Sequence, residues 1–194
     1  VEVLSQQINS WASAPYLEIE ARLGYFTLED DGSLNQPFDS DIGQEWFRKI
    51  YTALESAGFS RENTVSTDYF LGSMRMSVSS DGSRYAIRKK TMEHSNFTYE
   101  NSPFDIRFSF SQEEPINVKE FIKVSKNQNP TIRKKTRTTF QTNHWKYDLT
   151  RVESENNGVV EARHEVEIEA KLDSIEYHDY VYMADSLMLK IRQL

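Results

Sequence analysis

The stretch His164-Glu165-Val166-Glu167-Ile168-Glu169-Ala170 limits the fold more than any other segment. Its alternation is that of a β-strand, so Glu165, Glu167 and Glu169 share one face and the apolar residues the other. On that face successive carboxylates stand about 7 Å apart, at about 3.3 Å of rise per residue. Like charges in a row repel unless something on the same face offsets them. The fold must therefore bring cations or a bound metal ion to this face.

The alternation recurs along the chain. In Pro15 to Gly24 (PYLEIEARLG), Leu17, Ile19, Ala21 and Leu23 oppose Glu18, Glu20 and Arg22. Gly72 to Ser79 sets Met74, Met76 and Val78 against Arg75, Ser77 and Ser79, and Asp81-Gly82 then signals a hairpin. Arg84 to Lys90 (RYAIRKK) puts Tyr85 and Ile87 on the apolar side and Arg84, Arg88 and Lys90 on the polar side. In Asp105 to Glu113, Ile106, Phe108 and Phe110 oppose Arg107, Ser109, Ser111 and Glu113. Ile132 to Phe140 aligns Arg133, Lys135 and Arg137, and Trp145 to Val152 sets Trp145, Tyr147 and Leu149 against Lys146, Asp148 and Thr150.

Helical spacing is rarer. Ser40 to Phe59 carries Trp46, Phe47, Ile50, Tyr51 and Leu54, with Ser40 or Asp41 to cap its start and Gly58 to end it. Tyr177 to Ile191 forms a second helix, Val118 to Ile122 a short third, and residues 2 to 12 a fourth. Many short strands and few helices indicate a mainly β domain, an antiparallel barrel or a sandwich.

Singly, each strand is an ordinary two-faced strand. Together their polar faces are unusual, because Glu-x-Glu-x-Arg, Arg-x-Lys-x-Arg and Glu-x-Glu-x-Glu are not the mixed polar surface that water normally meets. Closing the sheet with these faces inward brings the acidic and basic rows together, and the helices then cover the apolar outer face. Buried ions of this kind must be paired or bind metal. Carboxylate rows without His or Cys suit Mg²⁺ or Mn²⁺, and Arg and Lys rows suit phosphate oxygens. Acid and base in one cavity fit hydrolysis of a polyphosphate.

The composition sets bounds. The chain has 194 residues and reads as one domain. No cysteine is present, which excludes disulfides, thiolate zinc sites and a cysteine nucleophile. The four His show no ligand spacing, and His144, His164, Trp46 and Trp145 read as packing or surface residues. The net charge of −7 argues against wrapping duplex DNA, so a polyanion must meet a local basic patch. No transmembrane run, signal peptide, Walker loop, kinase set or Rossmann fingerprint appears. The start at Val1 and the stop at Leu194 within a helical pattern fit an excerpt of a longer protein.

Glu-x-Glu-x-Arg in an early strand and Glu-x-Glu-x-Glu in a late one resemble the two metal-binding motifs of triphosphate tunnel metalloenzymes. DIRFSFSQE, RKKTR and WKYDLTRV look like the pattern of the fungal, protozoan and large-DNA-virus RNA 5′-triphosphatases of mRNA capping. The resemblance covers residues 16 to 170 and implies a closed eight-stranded antiparallel tunnel, one triphosphatase domain over 1–194, and removal of the γ-phosphate from 5′-triphosphate-ended RNA. It implies Glu18, Glu20 and Glu169 as ligands of Mg²⁺ or Mn²⁺, with Glu165 and Glu167 in support. Glu113, with Glu114 as the alternative if the register shifts, matches the acid that positions the attacking water. Arg75, Lys135 and Arg137 match the phosphate clamp. Strand parity adds Lys90, with Lys89 the alternative if a bulge intervenes, and Arg88 beside it. Arg133, Lys146, Asp148 and Thr150 complete the tunnel, and Arg22 pairs with a glutamate.

The partners so implied are the 5′-triphosphate end of RNA, nucleoside triphosphates, and a guanylyltransferase, fused or separate, whose Lys-x-Asp-Gly motif this chain lacks. A viral or protist source and an intracellular setting, nucleus or viral factory, go with that reading. The rival readings are a tunnel hydrolase of thiamine triphosphate or polyphosphate, or a cyclase, and a non-catalytic triphosphate-binding module.

Overall fold

The computed structural model describes residues 1–28, 34–98, 102–156, 158–172 and 180–194. Nine strands and four helices are described: α1 (Glu2–Trp11), β1 (Leu17–Leu28), β2 (Leu34–Asp39), α2 (Gly43–Ser56), β3 (Ser60–Leu71), β4 (Met74–Ser79), β5 (Arg84–Phe97), β6 (Asp105–Ile116), α3 (Val118–Ser125), β7 (Thr131–Gln141), β8 (Trp145–Asn156), β9 (Val159–Ala170) and α4 (Tyr180–Arg192). The strand order β1-β6-β5-β4-β3-β7-β8-β9 is antiparallel throughout, and β9 pairs back onto β1. The barrel is therefore closed with eight strands, as the family resemblance implies, and β2 is an added strand on β1.

The closing seam is short. Among the described residues, Glu20↔Glu169, Ala21↔Ile168 and Arg22↔Glu167 alone pair β1 with β9. Beyond it the two strands part, and the β2–α2 connection fills the gap. Ser40 donates to Glu165 at 2.9 Å, the Ile42 amide to the His164 carbonyl at 3.0 Å, and the His164 amide to Asp41 at 2.9 Å. Asp41 also accepts from the Gly43 amide at 3.0 Å, but it lies one residue before the N-cap of α2, which is Ile42 and makes no side-chain cap, so neither Ser40 nor Asp41 is the cap residue. Gly24 is required where β2 crosses β1, because a Cβ there would strike the Asp39 carbonyl and lie 2.5 Å from the Phe38 ring.

The apolar core lies outside the barrel. Ile19, Ala21 and Leu23 of β1, Ile106, Phe108 and Phe110 of β6, Tyr147 and Leu149 of β8, and Val166 and Ile168 of β9 point outward. They pack under Leu4 and Ile8 of α1, Ile50 and Leu54 of α2, and Met183, Ala184 and Leu187 of α4. Each buried Leu, Ile, Val, Phe or Met side chain among them contributes about 1.5–3 kcal/mol by leaving water. A smaller cluster on the other side seats Phe121 of α3 on Leu71 and Ala86, with Tyr69, Met74 and Met76 around it. Trp145 and His164 are packing residues: the indole donates to Ser186 at 2.8 Å, and the imidazole packs against Phe47.

Two strands escape the sequence pattern. β2 was not expected, and β3 shows no alternation because Ser60 to Val65 is exposed on both faces. β5 is the main correction. Its inward face carries Tyr85, Ile87 and Lys89, since Ile87 pairs with Arg75 and Lys89 with Glu113. Arg88 and Lys90 lie on the outer face, where Arg88 meets Glu120 at 2.7 Å and Glu114 at 3.8 Å. The small Ala86, not Tyr85 or Ile87, is the core residue here, because Phe121 fills the space above it. A bulge occurs between Thr91 and Glu93, too late to affect Lys89. It turns Glu93 outward to accept from Gln7 at 2.7 Å and Trp11 at 2.8 Å of α1.

Candidate active site

The inward rows meet as the sequence predicts. Glu20 of β1 stands directly opposite Glu169 of β9, and Glu18 lies two residues along the same face. Direct antiparallel partners have Cβ atoms about 4.5–5.5 Å apart, so the two carboxylates need a cation. Each acid has one. Lys89 pairs with Glu18 and reaches Glu113 at 3.3 Å. Arg22 bridges the seam, pairing with Glu20 at 3.3 Å and with Glu167. Lys146 meets Glu169 at 3.0 Å.

Opposite the seam lies the basic wall. Arg137 donates from Nε to Thr150 at 2.8 Å and pairs with Asp148 at 2.7 Å and Glu167 at 3.4 Å. Asp148 also accepts from Thr139 at 2.5 Å. The guanidinium is thus held in one orientation by three acceptors. Arg75 reaches Glu113 at 3.4 Å. Lys135 pairs with Asp68 of β3 at 2.7 Å, and its ammonium sits 5.8 Å from the Phe70 ring. Arg133 rests 5.2 Å from the same ring and makes no ion pair among the described residues.

Burial sharpens these charges. Burial, then the charges of Glu20 and Glu113, push the Glu18 carboxyl up to about 8 despite the ammonium of Lys89. Burial would also raise Glu167, but Arg22 and Arg137 outweigh it and hold that carboxyl down near 2. Glu169 is raised, by burial first and then by Asp148 and Glu167, with Lys146 opposing. Burial acts against the charged forms of Lys89 and Arg137, yet the surrounding carboxylates keep both firmly protonated.

Glu18, Glu20, Glu113, Glu165, Glu167, Glu169, Arg22, Arg75, Arg133, Lys135, Arg137, Lys146, Asp148 and Thr150 all share the tunnel face. Arg88 and Lys90 do not, and Lys89 takes the place expected of Lys90. Glu113, not Glu114, is the inward acid of β6. Asp68, 3 % exposed, was missed because β3 gives no strand signal.

No three His, Asp or Glu side chains converge on one point among the described residues, because each acid is turned to its own cation. The donor set still fits a hard divalent ion. It is all oxygen, and it spans the seam, with Glu20 opposite Glu169 and Glu18 two residues along the same face. The Nε–H of Arg75 and the hydroxyl of Ser111 are buried without a partner among the described residues, so the pore offers donors to an oxygen-rich ligand.

An eight-stranded pore with carboxylates and cations facing inward defines a triphosphate tunnel. The family model described as the mRNA capping enzyme, beta chain, matches residues 58–181, and the chain belongs to that family of mRNA triphosphatases. Among solved structures, the fold is similar to the S. pombe Pct1 RNA triphosphatase in complex with the Spt5 CTD. That likeness has a TM-score of 0.80 at 20 % identity and covers 98 % of this chain and 90 % of the other. Pct1 by itself gives 0.78 at 20 % identity, covering 97 % and 90 %. The Mimivirus capping enzyme triphosphatase gives 0.58 at 13 % identity, covering 99 % and 95 %. No curated protein matches the sequence.

Proposed function

We propose that this chain is a divalent-metal-dependent RNA 5′-triphosphatase that prepares RNA ends for capping. The observation that carries the reading is the meeting, in one closed pore, of Glu18, Glu20, Glu113 and Glu169 with Arg75, Lys89, Lys135 and Arg137. Family membership supports it.

Glu113 orients a water on the γ-phosphorus. The water oxygen forms the new P–O bond, the bond from the γ-phosphorus to the bridging oxygen breaks, and the electron pair leaves with the β-phosphate. The products are orthophosphate and a 5′-diphosphate end. Arg75, Lys89, Lys135 and Arg137 donate to oxygens whose charge grows during the transfer. Preset donors of this kind are worth about 3–4 kcal/mol each in a site closed to water. Mg²⁺ or Mn²⁺, held by Glu18, Glu20 and Glu169, would supply Lewis-acid polarisation of the phosphoryl group.

A guanylyltransferase, fused or separate, is the partner that consumes the diphosphate end, and the nucleus or a viral factory is the setting. Incubation with γ-labelled triphosphate-ended RNA, ATP, thiamine triphosphate and polyphosphate, each with Mg²⁺ or Mn²⁺, tests the reading. Release of phosphate from RNA is expected. Release from thiamine triphosphate or polyphosphate alone would replace it with another tunnel hydrolase, and no release from any substrate with a binding module.

A further inference from the structure

The tunnel is polar along its axis. At the rim where β1 and β8 begin and β6 and β9 end lie Glu18, Lys146, Glu113 and Glu169, the acidic side. At the opposite rim, where β6 and β7 begin, lie Arg107 and Arg133, with Arg163 of β9 nearby. Arg22, Arg133 and Arg163 line a cavity of about 330 Å³ on this side, together with Ser40, Val152, Ser154, Glu161 and Glu165. Arg163 is tethered to Asp39 of β2, and Glu165 to Ser40, so the segment closing the seam also builds the wall of this vestibule. Arg133 is exposed, stacked on Phe70, and without a carboxylate partner among the described residues.

We infer that the triphosphate lies along the tunnel with its γ end toward the acidic rim, and that the RNA chain leaves through the arginine vestibule, where Arg163 and Arg133 bind a backbone phosphate beyond the triphosphate. This rests on the RNA triphosphatase reading. Glu113 lies near the end of β6, at the acidic rim, so its water approaches from there. In-line displacement then puts the leaving β-phosphate on the far side, toward the arginines. Guanidinium groups suit phosphodiester oxygens. A nucleoside triphosphate has no phosphate at that position, so the vestibule separates RNA from free nucleotide.

The other direction of entry has its own marker. Tyr85 faces inward opposite Ser77 at the acidic rim and is 51 % exposed, a ring on which a base entering that way would stack. Steady-state kinetics of the full chain with a short triphosphate-ended oligoribonucleotide and with ATP separate the two. Arg163→Glu is expected to raise KM for the RNA about tenfold, the lower end for a charged hydrogen bond, with ATP kinetics unchanged. Arg163→Gln, which keeps a donor for Asp39, should change RNA KM in the same direction and reduce the salt slope by about one. Tyr85→Ala should leave RNA KM unchanged. A raised RNA KM in Tyr85→Ala with none in Arg163→Glu, or an equal loss toward RNA and ATP in Arg163→Glu, would overturn the assignment. If wild-type protein releases phosphate from ATP but not from RNA, the parent reading fails and this one with it. RNA turnover indifferent to both Arg163 variants sinks this inference alone.

Discussion

Asp68 is the residue whose removal tests the electrostatic account most severely. It is 3 % exposed and pairs with Lys135 at 2.7 Å. Burial alone would raise its carboxyl, but the charge of Lys135 and its hydrogen bond prevail and hold it below its usual range. Asp68→Ala leaves the ammonium of Lys135 beside the Phe70 ring, with no ion-pair partner among the described residues. Breaking a buried pair in this way costs about 3–5 kcal/mol. At about 2–4 °C per kcal/mol for a chain of this size, the melting temperature should fall by about 6–20 °C. Asp68→Ala/Lys135→Met should recover much of that loss, since the uncompensated charge is gone, but should remain inactive because a phosphate donor is lost.

The pH dependence follows with a definite sign. A carboxyl lowered on folding stabilises above its unfolded pKa and loses that contribution as pH falls through the folded value. The wild-type acid limb should therefore be steeper than that of the double variant below about pH 4. Calorimetric melts across pH 3–7 provide the assay. A shift under about 2 °C for Asp68→Ala, with an unchanged acid limb, would show that the pair does not hold this wall together.

Two further outcomes separate structural from functional residues. Lys89→Ala should abolish turnover because it removes the partner of Glu18 and Glu113, whereas Lys90→Ala, on the outer face, should keep near-wild-type rates; equal effects in phosphate-release kinetics would contradict the assigned face. Gly24→Ala should lower the melting temperature by several degrees, because its Cβ overlaps the Asp39 backbone and overpacking costs about 1–3 kcal/mol; an unchanged melt would mean that β2 can move freely off β1.

The legible part of the fold was the part with two unlike faces. β1, β6, β8 and β9 each press one face into a core built of Leu, Ile, Phe and Val, so their alternation reads directly as inside and outside. The same alternation placed Glu18, Glu20, Glu113, Glu169, Lys135 and Arg137 in one pore. β3 was invisible because its first half meets water on its outer side and a polar lumen on its inner side, and Asp68 was lost with it. β5 was read inside out for a related reason. Its core contact is made by Ala86, a small residue under the large Phe121, while Ile87 faces a pore that is not uniformly polar. Where a barrel lumen carries charge and a thin helix covers the outside, side-chain size ceases to mark the core, and Lys89 and Lys90 exchange roles.

The central claim is that one metal-and-triphosphate site occupies the lumen. Anomalous diffraction from crystals grown with Mn²⁺ tests it most directly. The account requires a manganese peak inside the tunnel between Glu18, Glu20 and Glu169, lost in Glu169→Ala crystals of the same fold. Manganese found only on the outer surface, in protein that still hydrolyses triphosphate-ended RNA, would contradict it.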